Sequence, residues 1–117
     1  MKIIDELLIA KPELTRWRRD IHAHPEIAFE EHRTAKIVAE KLVEFGLEVE
    51  TGIAGTGVVG RLTKGRGNGA VGLRADLDAL PIQEANEFDH KSTYDGKMHA
   101  CGHDGHTTML LAAARQL

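Results

Sequence analysis

With 117 residues, 42% of them hydrophobic and 28% charged, the chain can bury one modest core and is too apolar to be disordered. Its net charge of −3 gives no reason to expect a nucleic-acid or anionic-membrane partner. A single cysteine excludes an internal disulfide and suits a reducing compartment. Near the N-terminus Asp5 and Glu6 interrupt the apolar run that a signal peptide needs, and no stretch approaches the ~20 apolar residues that span a bilayer. A cytoplasmic setting is expected.

Residues 3–9 form a short apolar patch, enough for one or two helical turns. Pro12 suits the first turn of a following helix, where its missing N–H costs nothing. Leu14, Trp17 and Ile21 then recur at helical spacing, with Arg16, Arg18, Arg19 and Asp20 on the wet face. This helix should stop near His22–His24, because Pro25 disfavours helical geometry in the residue before it. His22 and His24 flank an alanine beside Pro25 and Glu26; such a pair either caps the helix and fixes a turn or, less commonly, ligates a metal.

The clearest helix is predicted over residues 30–45. Ala35, Val38, Leu42 and Phe45 form its buried stripe, Glu30 and Glu31 suit its positive end, and Gly46 is the stop. His32 reads as a solvated first-turn residue. Residues 47–51 alternate in the manner of a half-buried strand, Gly52 to Gly57 break it, and residues 58–63 read as a second strand. The glycine-rich 64–69 connection leads into a strand and lacks a Gly-Lys-Ser/Thr ending, so it is no phosphate loop.

Residues 70–75 read as a third strand that delivers Asp76 and Asp78 at its C-terminal end, where ligands of open α/β sheets gather. Two carboxylates at this spacing can ligate a metal or orient an imidazole that does; a turn held by Asp side chains before Pro81 is the plainer alternative. Residues 83–97 are polar and without period, a loop in which His90 is expected to be exposed. Residues 107–117 form a strong helix, apolar nearly all round, of the kind found inside a larger protein. It ends without a cap, which suggests a partial chain.

Between loop and helix lies Met98-His-Ala-Cys-Gly-His-Asp-Gly-His106, with the sole cysteine and three of the seven histidines. Imidazole and thiolate are the donors that zinc-like divalent ions prefer. An extended backbone would point His99, Cys101 and His103 the same way, Gly102 and Gly105 permit close bends, and a helix already under way would bring His103 and His106 onto one face. So dense a donor cluster favours a metal site over unrelated core and surface histidines.

This window, together with Leu73-Arg-Ala-Asp-Leu-Asp-Ala-Leu-Pro-Ile82 and Arg18-Arg-Asp-Ile-His-Ala-His-Pro-Glu26, resembles the amidohydrolase branch of the dinuclear-metal aminoacylase and carboxypeptidase family. That branch contains hippurate hydrolases, N-acyl-amino-acid amidohydrolases and hydrolases of auxin–amino-acid conjugates. The resemblance implies a three-layer α/β/α zinc-peptidase-like catalytic domain, of which residues 1–117 would be the N-terminal portion, with the rest of that domain and a smaller lid or dimerisation domain lying outside the chain. It implies two divalent metal ions (zinc, manganese, cobalt and nickel all fit), bridged by Cys101, with one bound by His103. It gives Asp78 a supporting role and leaves direct ligation by Asp76 open, because the wider family carries a His-x-Asp pair here and this branch does not. The remaining ligands and the general base would come from other parts of the protein.

The activity so implied is metal-dependent hydrolysis of N-acyl amino acids, small-molecule substrates, by a complete protein that the resemblance allows to be a homodimer. Two readings from other classes stand beside it. One is a self-contained metal module closed by His99, Cys101, His103 and His106; the other is a thiol enzyme with Cys101 activated by a neighbouring histidine. A non-functional truncated piece is a further possibility.

Overall fold

The computed structural model describes residues 4–117. Five elements follow in order: helix α1 (Asp5–Ala23), helix α2 (His32–Glu44), strands β1 (Glu48–Ile53) and β2 (Gly57–Arg61), and helix α3 (His103–Gln116).

Helix α1 is longer than its sequence suggests. Asp5 and Glu6 occupy its first turn, where carboxylates meet the positive end of the helix dipole. Residue 3 of the apolar patch lies outside the described residues; from Asp5 onward the patch and the following helix are one element, and Pro12 lies inside it. There the proline forfeits one backbone bond, which its exposed position leaves to solvent. The helix ends where Pro25 requires, with His24 as its C-cap. Its last carbonyls are not left bare: Ala23 O accepts from both the backbone N–H and the hydroxyl of Thr93 (2.9 and 2.7 Å).

Helix α2 has no capping side chain of its own at Glu31. Glu26 reaches over instead and accepts from the N–H of Arg33 (2.8 Å), the N–H of Thr34 (2.7 Å) and the Thr34 hydroxyl (2.7 Å). One carboxylate thus satisfies two of the N–H groups that every helix start leaves free. At the other end Gly46, at φ +85°, turns the chain left-handed, and the Leu47 N–H returns to Leu42 O, closing the helix as glycine commonly does.

The two strands pair antiparallel, Glu48 opposite Arg61, with an irregularity between Thr51 and Ile53. Val38, Leu42 and Leu111 form the buried centre, packed by Trp17, Phe45, Leu47, Val49, Val58, Leu77 and Ala114. The predicted stripe of α2 therefore faces the hairpin and α3, while α1 lies against α3.

The third strand is not formed among the described residues. Residues 70–75 make no ladder, and Val71 and Leu73 stand 88% and 59% exposed. A strand exists only by pairing with a neighbour, and the hairpin does not extend to this segment. Past it the chain is pinned locally: Ala79 bridges to Ile27 in parallel and Leu80 to Met98 antiparallel, so residues 79–80 are tied both to the connection between α1 and α2 and to the entry of the histidine-rich window.

Candidate metal centre

Helix α3 starts at His103, four residues ahead of expectation. Gly102 makes this possible. It takes φ +107° at the N-cap, a left-handed geometry costly for any residue with a side chain. The bend separates the donors that an extended chain would align. His99 lies on the inner side at 4% exposure, Cys101 is exposed, and His103 opens the helix with its ring 5.5 Å from that of His106.

Among the described residues no three His, Cys, Asp or Glu side chains come close enough to hold an ion together. The closed four-ligand module is therefore not built by this chain. What is built is one well-oriented histidine. His103 Nδ1 lies 3.0 Å from Asp78 Oδ1 and 2.9 Å from Asp78 O. Both atoms are acceptors, so Nδ1 carries the ring hydrogen and Nε2 presents its lone pair. That is how a carboxylate prepares a histidine for a metal. Nε2 in turn faces Asp76 Oδ2 at 3.7 Å, two electron pairs that repel unless a cation or proton lies between them. The other Asp76 oxygen accepts from Arg74 (2.6 Å), and its backbone carbonyl accepts from Thr107 in α3 (3.0 Å). The donor set fits one side of a divalent-ion site, with Asp76 and Asp78 brought to His103 from 25 or more residues upstream.

Behind this face runs a buried polar chain that the sequence did not disclose. His22, 3% exposed, places Nδ1 2.8 Å from Asp104 Oδ2 and Nε2 3.0 Å from Glu84 Oε1. Both bonds together need a hydrogen on each ring nitrogen, the imidazolium form. Arg18, one turn earlier in α1, adds its Nε to the same Asp104 oxygen at 2.9 Å. Glu84 also accepts from Asn86 Nδ2 (3.0 Å) and from the Ser92 N–H (2.5 Å). Burial by itself raises a carboxyl's pKa, but at Glu84 the hydrogen bonds from Asn86, Ser92 and His22 outweigh it and bring the value down to about 2. Asp104 is likewise held below the usual carboxylate range, its burial more than offset by His22, the Gly105 N–H and Arg18.

His22 is thus a structural hub rather than a metal ligand, and His24 is bound to the Asp20 carbonyl through Nδ1 (2.7 Å). His32 is exposed as expected. His90 is not: it is half-buried, stacked on Phe88 with ring centres 4.1 Å apart. His99 has neither ring nitrogen hydrogen-bonded, and burial holds its pKa below the usual histidine value. Sequence offered one clue to the hub: Arg18 and His22, at i and i+4 of one helix, share a face.

The family described as peptidase family M20/M25/M40 matches residues 72–117, the stretch that carries Asp76, Asp78, Cys101 and His103. A hippurate hydrolase of Campylobacter jejuni is 53% identical over 100% of this chain and 30% of its own length. An N-acyl-L-amino acid amidohydrolase of Geobacillus stearothermophilus is 46% identical over 97% of this chain and 30% of its own. A Bacillus subtilis structure described as a dinuclear metal binding peptidase of the M20 family superposes at TM-score 0.83, with 42% identity, over 91% of this chain and 30% of that one. The fold is of the α/β class expected from the sequence and superposes on M20 peptidase structures. The chain belongs to the M20 peptidase family. It spans about 30% of the length of the curated relatives it matches.

Proposed function

We propose that the complete protein containing this chain is a metal-dependent amidohydrolase that cleaves N-acyl amino acids, and that this chain supplies one portion of the catalytic domain and part of the metal site. The observation that carries the reading is the Asp78–His103 pair, with Nε2 turned toward Asp76. The relatives' names, hippurate hydrolase and N-acyl-L-amino acid amidohydrolase, supply the substrate class: small molecules with an acyl group on an amino-acid nitrogen.

Cys101 and His103 would hold the ions, two per complete protein, with Asp76 as a further donor. When bound, such ions supply Lewis acidity, which acidifies water and polarises an amide carbonyl. The chain's own residues do the preparatory work. Asp78 fixes the tautomer and direction of the His103 ring, Gly102 allows Cys101 and His103 to be presented on either side of a sharp bend, and Thr107 ties α3 to the Asp76 backbone. The proton transfers of hydrolysis need a carboxylate or imidazole beside the reacting amide, which this reading assigns to residues outside the chain. Exposed Val71, Leu73 and Met109 (88%, 59% and 62%) support the view that this portion packs against more protein. Alone, the 117 residues would be inactive.

Among the described residues no helix is long and apolar enough to cross a membrane. An exposed free thiol at Cys101 supports a reducing, cytoplasmic setting.

The test is hydrolysis of benzoylglycine and a panel of other N-acyl amino acids by the complete protein, before and after chelation. Activity that is lost with chelation and restored by a divalent ion supports the reading. A metal-loaded, folded protein inert across the panel would refute it.

A further inference from the structure

The Arg18–His22–Asp104–Glu84 chain, buried except at Arg18, lies outside the chemistry just described, yet one of its members is covalently next to His103. Asp104 sits in the first turn of α3 at 1% exposure. Its side chain is gripped from α1 by His22 and Arg18 on a single oxygen. His22 in turn is anchored by Glu84, which is itself fixed by Asn86 and by the Ser92 backbone. The start of α3, where Cys101 and His103 stand, is therefore tethered to α1 and to the 83–97 loop through one imidazole.

We infer that His22 is a positioning residue: by bridging Asp104 and Glu84 it sets where Cys101 and His103 present their donor atoms. This rests on the metal-site reading above and deepens it. Two features favour positioning over mere packing. A buried ionic network is a poor source of net stability compared with apolar residues of the same volume, but it fixes geometry sharply because each ring nitrogen is held close to one carboxylate oxygen. The bridge also reaches the single turn that carries His103: His22 meets Asp104, next to His103 and 82 residues on in sequence, with one ring nitrogen, and Glu84, 62 residues on, with the other. The lowered value of Glu84 agrees with a carboxylate held ionised against the ring.

The experiment is cobalt(II) titration of the chelator-stripped complete protein, read by calorimetry and by the visible absorption of the bound ion. Three variants are compared with the unaltered protein: His22→Gln, the milder Arg18→Gln, and Ile21→Val. Ile21 neighbours His22 in α1, is 1% exposed and has no polar side-chain atom to share in the hydrogen bonds, so it reports the effect of simple destabilisation. His22→Gln is expected to weaken cobalt binding about tenfold, the lower end of what lost support behind a metal ligand costs, and to shift the absorption of the saturated protein. Arg18→Gln is expected to weaken binding by a smaller factor, and it serves alone if His22→Gln does not fold. Ile21→Val should bind as the unaltered protein does. Affinity and spectrum unchanged in His22→Gln and Arg18→Gln, or Ile21→Val weakened equally, would overturn the inference. Failure of the unaltered protein to bind cobalt at all would instead overturn the metal-site reading itself.

Discussion

Replacing Glu84 by glutamine imitates a permanently protonated carboxyl at a side chain that is only 2% exposed. Glu84 titrates at about 2 in the folded protein against 4.5 for an unperturbed glutamate. At 1.36 kcal/mol per pH unit of difference, ionisation of this one group contributes roughly 3 kcal/mol at neutral pH. The folded value lies below the unfolded one, so the contribution is complete above about 4.5 and is lost as pH falls toward about 2. Urea unfolding of the complete protein and its Glu84→Gln variant, at intervals from pH 7 to pH 3, measures this directly. The variant should be less stable by roughly 3 kcal/mol at pH 7, and the gap should shrink to less than half of that near pH 3. A gap that stays constant across the range would refute the claim that the ionised Glu84 is what His22, Asn86 and Ser92 stabilise.

Asp78→Ala frees the His103 ring, and metal affinity should fall about 10- to 100-fold in calorimetry, with little change in the stability of the stripped protein because Asp78 is only half-buried. Leu111→Ala removes a side chain at 2% exposure from the centre of the core and should cost about 2–5 kcal/mol in denaturant unfolding; a loss under ~1 kcal/mol would show that α3 is not packed as described. Glu26→Ala strips α2 of its borrowed cap and leaves the fully buried Thr34 without its partner, for an expected loss of about 1–3 kcal/mol. An unaltered unfolding midpoint would mean that another group caps the helix.

What the sequence disclosed and what it hid follow from the distance over which each feature is decided. The α2 stripe and its Gly46 stop are set within one helix: Val38, Leu42 and Phe45 pack in the core as expected, while Thr34 rather than Ala35 is the buried residue of the first turn. The end of α1 before Pro25 is equally local. Pro12 marks a helix start by sequence alone, but α1 runs through it from Asp5, because an exposed helix face tolerates the loss of one bond. Residues 70–75 have the composition of a strand, but strand formation is settled by a partner that composition does not reveal. The same limit applies to the site. Cys101 and His103 stood out as donors because nine consecutive residues hold them. Glu84 did not, being one carboxylate in a loop without period, and its role appears only when His22 is brought to it from 62 residues away. The family resemblance gives Asp78 a supporting role, and the fold places its carboxylate 3.0 Å from His103 Nδ1.

The most direct test of the account is the metal content of the complete protein compared with its Cys101→Ala and His103→Ala variants, measured by atomic emission after equilibration with zinc and gel filtration. The account predicts two ions per chain in the unaltered protein, a loss of at least one in each variant, and no hydrolysis of benzoylglycine by either. Two ions and undiminished hydrolysis in both variants would contradict it.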